Sequence, residues 1–359
     1  MSLKDIVGTG IIYGSKLNDL FNYAKEQKFA IPSVCISNIS TINAALETAQ
    51  SLNSPIILQI SHHSSHYIAG FGFDNQDHRA SVKGSISAAL HVHTIADMYN
   101  IPIVLHTDHA NKEKLPWIDE LISFAEDFCK IYNKPLFSSH MIDLSEETLE
   151  ENIKTSIKYF QKLKKLNMGI EVELGASNPN IVDCDKNSNK IDNSKIYTLP
   201  CDVEEFYKEL IKIDNNFLLS VAFGNQYGIQ TPGTTLLNPM VLDNIQKYIA
   251  QKFETQHKPL NLVFHGGSGA MQSEILETIN YGIVKYNIDT DLQWAFWNGV
   301  RKYYLANEPY LKGQIGNPEG ADKPNKSKYD PRTWLRYAQN SFKERLLKTY
   351  EDLNCVNIL

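Results

Sequence analysis

The stretch Asn261-Leu262-Val263-Phe264-His265-Gly266-Gly267-Ser268-Gly269 reads as a buried strand that ends in an imidazole and then in a loop with almost no side chains. A strand tip holds a ligand atom rigidly, and glycines let backbone N–H groups converge on an anion, much as phosphates settle at helix N-termini. Metal plus phosphate is the chemistry this pairing suggests. Taken alone, the same residues also suit an ordinary turn, where glycine supplies a positive φ.

A second segment, Ile101-Pro102-Ile103-Val104-Leu105-His106-Thr107-Asp108-His109, repeats the pattern of an apolar run ending in ionisable groups. Successive apolar residues, as opposed to alternating ones, mark a strand buried on both faces, as in parallel sheets. One histidine in such a place is ordinarily a core side chain satisfied by hydrogen bonds. Two strand tips carrying histidine, one with Asp108 beside it, point to a site.

Outward from these two strands the chain alternates. Strand patterns cover Phe29 to Val34, Ile56 to Ile60, the Ile103 run, Leu136 to Ile142, Ile170 to Leu174, Phe217 to Ala222, Leu262 to Phe264 and Val284 to Ile288, about eight in all. Helical spacing covers a lead-in helix at about Lys16 to Glu26, then Thr41 to Ser51, Ser85 to Tyr99, Ser145 to Leu166 and Gln272 to Tyr281. A final helix runs from about Arg332 to Leu353. Asp143 and Ser145 are candidate caps for the helix that follows them. The fold class this predicts is α/β: a single domain over 1–359, a closed (β/α)8 TIM barrel with an N-terminal lead-in helix and a C-terminal helical extension. Its site lies at the strand C-terminal ends. A doubly wound sheet would carry a glycine fingerprint after its first strand, and Ile36-Ser37-Asn38-Ile39 has none.

A length of 359 residues suits one large α/β domain or two smaller ones, and composition does not split the chain. The net charge of -6 argues against a polyanion-binding surface, so nucleic acid is not an expected partner. No apolar run reaches membrane-spanning length, and Met1-Ser2-Leu3-Lys4-Asp5 lacks the regions of a signal peptide, which predicts a cytoplasmic protein with no membrane partner. Cys35, Cys129, Cys184, Cys201 and Cys355 form an odd set without CxxC spacing and read as free thiols. The polar segments Asn178 to Lys195 and Gly313 to Lys328 fit no simple unit, being either functional barrel loops or mobile surface.

With His-Thr-Asp-His at 106 to 109, Phe-Ser-Ser-His-Met-Ile-Asp-Leu-Ser at 137 to 145, Phe-His-Gly-Gly-Ser-Gly at 264 to 269 and Asn-Ile-Asp-Thr at 287 to 290, the chain resembles the class II fructose-bisphosphate aldolases. The resemblance runs from the lead-in helix to Pro324-Asn325-Lys326 and Tyr329-Asp330-Pro331-Arg332-Thr333-Trp334. It implies a zinc-dependent homodimeric barrel that reversibly cleaves fructose 1,6-bisphosphate to dihydroxyacetone phosphate and glyceraldehyde 3-phosphate, a glycolytic reaction. Zinc held by neutral imidazoles would act as a Lewis acid on the dihydroxyacetone phosphate oxygens.

Residue by residue, the resemblance implies that His109 and His265 are zinc ligands and that Asp108 is the acid/base group at the aldehyde-derived hydroxyl. A cap on the following loop is the plain alternative for Asp108. Gly228, Gly266, Ser268, Asp289 and Thr290 match a pocket for the phosphate of dihydroxyacetone phosphate and a monovalent cation, and Asn287 matches a substrate contact. Ser61, Lys326 and Arg332 match the grip on the other phosphate, where a guanidinium donates two bonds at once. Asp143 and Glu173 match carboxylates near an alternative metal position, and Glu173 equally suits a partner for an imidazole.

The pattern also departs from the family. Tyr227, in Phe223-Gly224-Asn225-Gln226-Tyr227-Gly228, stands where a third zinc histidine is expected, and a neutral phenol is a poor zinc ligand. The run Ala176-Ser177-Asn178-Pro179-Asn180-Ile181 lacks the family's catalytic glutamate, with Asp183 and Asp185 the nearest carboxylates. Cys35 replaces an asparagine, and His62-His63 follows Ser61, so that either histidine is a candidate replacement ligand. The main expectation is a class II-type aldolase. The alternatives are a relative with different sugar-phosphate chemistry and a non-catalytic sugar-phosphate-binding protein.

Overall fold

Short runs of β-branched and aliphatic residues become strands because their side chains fit a pleated surface covered on both sides. In the computed structural model, residues 1–175, 197–225, 237–267 and 269–359 are described. The chain opens with α1 (Leu3–Val7), β1 (Gly10–Ile11) and α2 (Ser15–Gln27). Eight parallel strands follow: β2 (Ile31–Cys35), β3 (Ile56–Ile60), β4 (Pro102–Ala110), β5 (Ser139–Ile142), β6 (Gly169–Leu174), β7 (Phe217–Val221), β8 (Leu262–Phe264) and β9 (Ile283–Ile288). Each pairs with the next, and β9 returns to β2, Ser33 opposite Asn287, so the sheet closes into the expected barrel.

The connecting helices are α3 (Ile39–Ser51), α4 (His62–Ala69), α5 (Arg79–Tyr99), α6 (Leu115–Tyr132), α7 (Leu149–Lys164), α8 (Pro200–Leu210), α9 (Met240–Lys252) and α10 (Gln272–Asn280). Beyond β9 come α11 (Thr290–Leu311), a hairpin of β10 (Ile315–Asn317) and β11 (Gly320–Pro324), α12 (Lys326–Tyr329) and α13 (Pro331–Asp352). Part of the 313–328 stretch is thus regular structure. No helix among the described residues is long and apolar enough to cross a membrane.

Two expectations are corrected. The helix after β5 is capped by Thr148, whose side chain accepts from the Glu151 N–H, and not by Asp143 or Ser145. Asp143 is engaged elsewhere, on His109 and on the Ser145 backbone and hydroxyl. Cys35, Cys129 and Cys355 are free thiols, but Cys201 is disulfide-bonded; Cys184 lies outside the described residues.

Two layers of core result. Between strands and helices sit large apolar side chains such as Trp117 of α6, Phe160 of α7, Phe206 of α8 and Phe342 of α13. Inside the ring the filling is polar: Ser33, Gln59, His106, Glu171 and Lys285 are all buried. Glu171 on β6 meets Lys285 on β9, and since these strands are not neighbours the contact runs through the barrel interior. Helix packing is equally close at Gly84 of α5, where a Cβ would fall 1.7 Å from the Ser65 carbonyl oxygen of α4. Gly84→Ala must push the two helices apart and is expected to cost about 1–3 kcal/mol. An unchanged thermal midpoint would contradict this packing.

Burial lowers the pKa of His140, with His106 adding to it, from 6.5 to about 3. Its Nδ1 meets the Thr107 hydroxyl at 2.8 Å. The unfolded chain binds this proton first, so stability falls as pH drops below about 6.5 and the loss ends near pH 3. Between pH 7 and 5, His140 alone should remove about 2 kcal/mol. Urea titrations at both pH values check this: in His140→Asn the pH-dependent loss should shrink by that amount.

Candidate active site

Neighbouring residues of a regular strand face opposite sides, so Asp108 and His109 would not ordinarily share a cavity. The β4–β5 pairing resolves this. Thr107 lies opposite His140 and Ala110 opposite Ile142, so three steps along β4 match two along β5. Such a bulge re-aims side chains beside a site. Asp108 and His109 therefore both reach the cavity at the C-terminal mouth of the barrel, which also receives His265 from the end of β8. Ligand atoms of Asp108, His109 and His265 all lie within 4.8 Å of one another.

Each imidazole is held from behind by a carboxylate. His109 Nδ1 lies 2.7 Å from Asp143 Oδ2, and His265 Nε2 lies 2.7 Å from Glu171 Oε1. A carboxylate only accepts, so these nitrogens carry protons, and in the neutral rings, the form that binds a metal, the lone pairs sit on His109 Nε2 and His265 Nδ1. His109 Nε2 stands 3.7 Å from Asp108 Oδ1, an oxygen with no hydrogen-bond partner among the described residues. His265 Nδ1 accepts from the Asn287 amide at 2.8 Å. Two imidazoles and a carboxylate converging in this way form a donor set that suits a divalent metal such as zinc.

The electrostatics follow from burial and charge. Burial acts to lower the pKa of His109, but the Asp108 charge and the Asp143 hydrogen bond outweigh it and raise the value to about 9. Burial would raise Asp108, yet His109 and Lys285 hold it below its ordinary value. Burial would likewise raise Glu171, which Lys285 and His106 hold well below the carboxylate range. Burial and the Asp108 charge push the Cys35 thiol up, so it stands as a neutral donor 3.6 Å from Asp108 Oδ2.

The glycines after β8 have separate reasons. Gly266 has φ 65°, in the left-handed region. At Gly267 a Cβ would fall 2.3 Å from the Tyr286 ring, whose hydroxyl donates to the Gly267 carbonyl at 2.6 Å. These residues line a cavity of about 250 Å³ together with Cys35, Gln59, Asp108, His109, His265, Asn287, Asp289 and Thr290. Asp289 precedes α11, whose N-terminus faces the cavity through Thr290.

Seven of the residues expected from sequence thus meet at one cavity: Asp108, His109, His265, Gly266, Asn287, Asp289 and Thr290. Glu173 lies 3.7 Å from His265 Nε2, a neighbour of the imidazole and outside the close ligand group, as is Asp143 behind His109. Asp108 lies within β4 and caps no loop. Ser61 caps α4 by accepting from the Ser64 N–H. Lys326 and Arg332 do not line the cavity, and Arg332 is exposed and paired with Asp330. His62 and His63 also stand apart from the ligand group: His62 Nε2 meets His78 Nδ1 at 3.0 Å, and the His63 ring lies against Phe71. Tyr227, Gly228, Ser268, Asp183 and Asp185 lie outside the described residues.

Sequence reasoning missed Glu171 and Lys285. The signal was present as period-2 spacing, Glu171 two residues before Glu173 and Lys285 two before Asn287, inside runs otherwise read as buried strands.

Comparison with known proteins agrees with this geometry. Residues 15–358 match the family model described as fructose-bisphosphate aldolase class-II. The chain is 48% identical over 358 residues to a fructose-bisphosphate aldolase of Campylobacter jejuni, covering 99% of each. It is 46% identical over 356 residues to a fructose-bisphosphate aldolase class 2 of Escherichia coli K12, again covering 99% of each. A crystal structure of the fructose-bisphosphate aldolase from Campylobacter jejuni superposes with a TM-score of 0.92 at 48% identity, covering 100% of both chains.

Proposed function

This chain belongs to the class II fructose-bisphosphate aldolase family, and on that premise we propose that it cleaves fructose 1,6-bisphosphate reversibly to dihydroxyacetone phosphate and glyceraldehyde 3-phosphate. The observation that carries the reading is the convergence of Asp108, His109 and His265 within 4.8 Å at the barrel mouth. His109 and His265 would hold a divalent cation, zinc by family. That ion, when bound, supplies Lewis-acid polarisation of the substrate carbonyl.

The chain's own residues do the rest. Asp108, kept ionised beside His109, takes the proton of the hydroxyl on the carbon that becomes the aldehyde as the adjacent C–C bond breaks, and returns it in the condensation direction. The bonding pair passes to the enediolate of dihydroxyacetone phosphate, whose carbon is then protonated by a separate acid or by water. Asn287, on the cavity wall, orients the substrate by its amide. Gly266 and Gly267 leave room for the phosphate of dihydroxyacetone phosphate, which the N-terminus of α11 at Thr290 favours electrostatically. Ser61, Lys326 and Arg332 complete the reading as the grip on the second phosphate, with Gly228, Ser268 and Asp289 at the first and a monovalent cation beside it.

A cytoplasmic homodimer acting in glycolysis is part of the same reading and rests on family membership. The exposed Trp294 and Trp297 of α11 offer an apolar face suited to a second copy. Sedimentation velocity at micromolar concentration should show a dimer, and a Trp294→Lys/Trp297→Lys variant should shift towards monomer. The activity itself is tested by a coupled assay on fructose 1,6-bisphosphate with zinc, cobalt or manganese added. Stoichiometric metal uptake without cleavage in any of the three would refute the lyase reading.

A further inference from the structure

Glu171 is the one carboxylate among the described residues that touches three buried basic side chains at once. Its Oε1 accepts from His265 Nε2 at 2.7 Å and from Lys285 Nζ at 3.1 Å, and its Oε2 lies 2.8 Å from Lys285 Nζ and 3.2 Å from His106 Nε2. Glu171 and its three partners are each at most 1% exposed. Four strands or strand ends contribute: β6, β8, β9 and β4. Glu171, Lys285 and His106 do not line the cavity, so the aldol chemistry by itself does not account for a lysine and a glutamate at the barrel centre.

We propose that the buried Glu171–Lys285 pair is a positioning device for His265, fixing which ring nitrogen carries the proton and hence which one is offered to a metal. This inference rests on the reading of His265 as a metal ligand. The carboxylate accepts only, so Nε2 must donate and Nδ1 keeps its lone pair, which here accepts from the amide of the cavity-lining Asn287 and which a metal would take over from that amide. Lys285 balances the negative charge, which lets Glu171 stay ionised where no water reaches it. His106 adds a second brace, its Nδ1 meeting the Ser139 hydroxyl at 2.8 Å while Nε2 faces Glu171. His109 is oriented from the opposite side by Asp143, so the two imidazoles present different nitrogens, Nε2 and Nδ1, towards one another.

The test reads proton position and metal affinity, not turnover. In the metal-free protein, 15N spectra of labelled histidine, with His265 assigned by difference against His265→Gln, should show Nε2 protonated and Nδ1 bare. A His265 protonated at Nδ1 overturns the proposal without any variant of the pair. Cobalt titration followed by visible absorption gives the second arm. Glu171→Met/Lys285→Met removes both charges and the acceptor while keeping volume, and its cobalt affinity should fall about 10- to 100-fold. Glu171→Gln/Lys285→Met keeps a carbonyl acceptor and should recover part of that loss. A folded Met/Met variant that binds cobalt within twofold of the parent sinks the inference. Failure of the parent to bind cobalt would instead sink the reading of His265 as a ligand.

Discussion

Asp108→Asn should lower kcat/KM for fructose 1,6-bisphosphate cleavage by about 10²- to 10⁴-fold, the usual contribution of a positioned acid/base group. That corresponds to about 3–5 kcal/mol of transition-state stabilisation. Asparagine keeps the size and one acceptor oxygen, enough for the Cys35 thiol at 3.6 Å, but turns the other oxygen into a donor and takes up no proton at neutral pH. The loss should appear in kcat, because the exchange of a proton with the hydroxyl belongs to the chemical step and not to phosphate binding. Metal content is measured alongside. Full metal uptake with a collapsed kcat assigns Asp108 to proton transfer, whereas loss of metal reassigns it to the ligand set that its 4.8 Å proximity to His109 and His265 also permits. Activity within threefold of the parent would remove Asp108 from the mechanism.

Lys285→Met is expected to destabilise the fold by about 3–5 kcal/mol, because it strands a fully buried carboxylate. Lys285 is 1% exposed and its ammonium bridges both Glu171 oxygens, at 2.8 and 3.1 Å. His106 and His265 remain beside Glu171, but the variant has lost the ammonium that offsets its buried carboxylate. Glu171→Met should be similarly harmful, since it strands the lysine. Both together should restore most of the stability, as replacing a buried ion pair by apolar groups of like volume is often neutral. Chemical denaturation of the four proteins closes the cycle. Additive single losses in the double variant would show that the pair is not coupled.

Much of the architecture was legible. Ile56 to Ile60 is a strand with the bounds its composition suggested, and the other seven barrel strands lie within a few residues of their apolar runs. Helix α4 was not legible, for His62 to Ala69 lacks an apolar stripe, having only Ser65 buried, and forms because Ser61 caps it and Gly84 lets α5 approach. The thiol reading of Cys201 failed for the same kind of reason, since a disulfide depends on which segments fold together and not on spacing. At the site, Asp108, His109, His265 and the glycine loop were visible as chemical types at strand tips. Lys326 and Arg332 carried equally suggestive types and lie in the tail, outside the lining of this cavity.

What the amino-acid order determined by itself was the eight strands, their parallel alternation with helices and the concentration of histidine, aspartate and glycine at strand ends. Those features are local, written in hydrophobic period and in side-chain chemistry. Only the tertiary structure decided that Asp108 and His109 share one cavity, because a bulge between β4 and β5 is a property of pairing between strands. Closure of the barrel likewise joined Glu171 to Lys285, 114 positions apart, and set the proton on His265. Such contacts are fixed by where strands meet across the ring, and no window of sequence contains both partners.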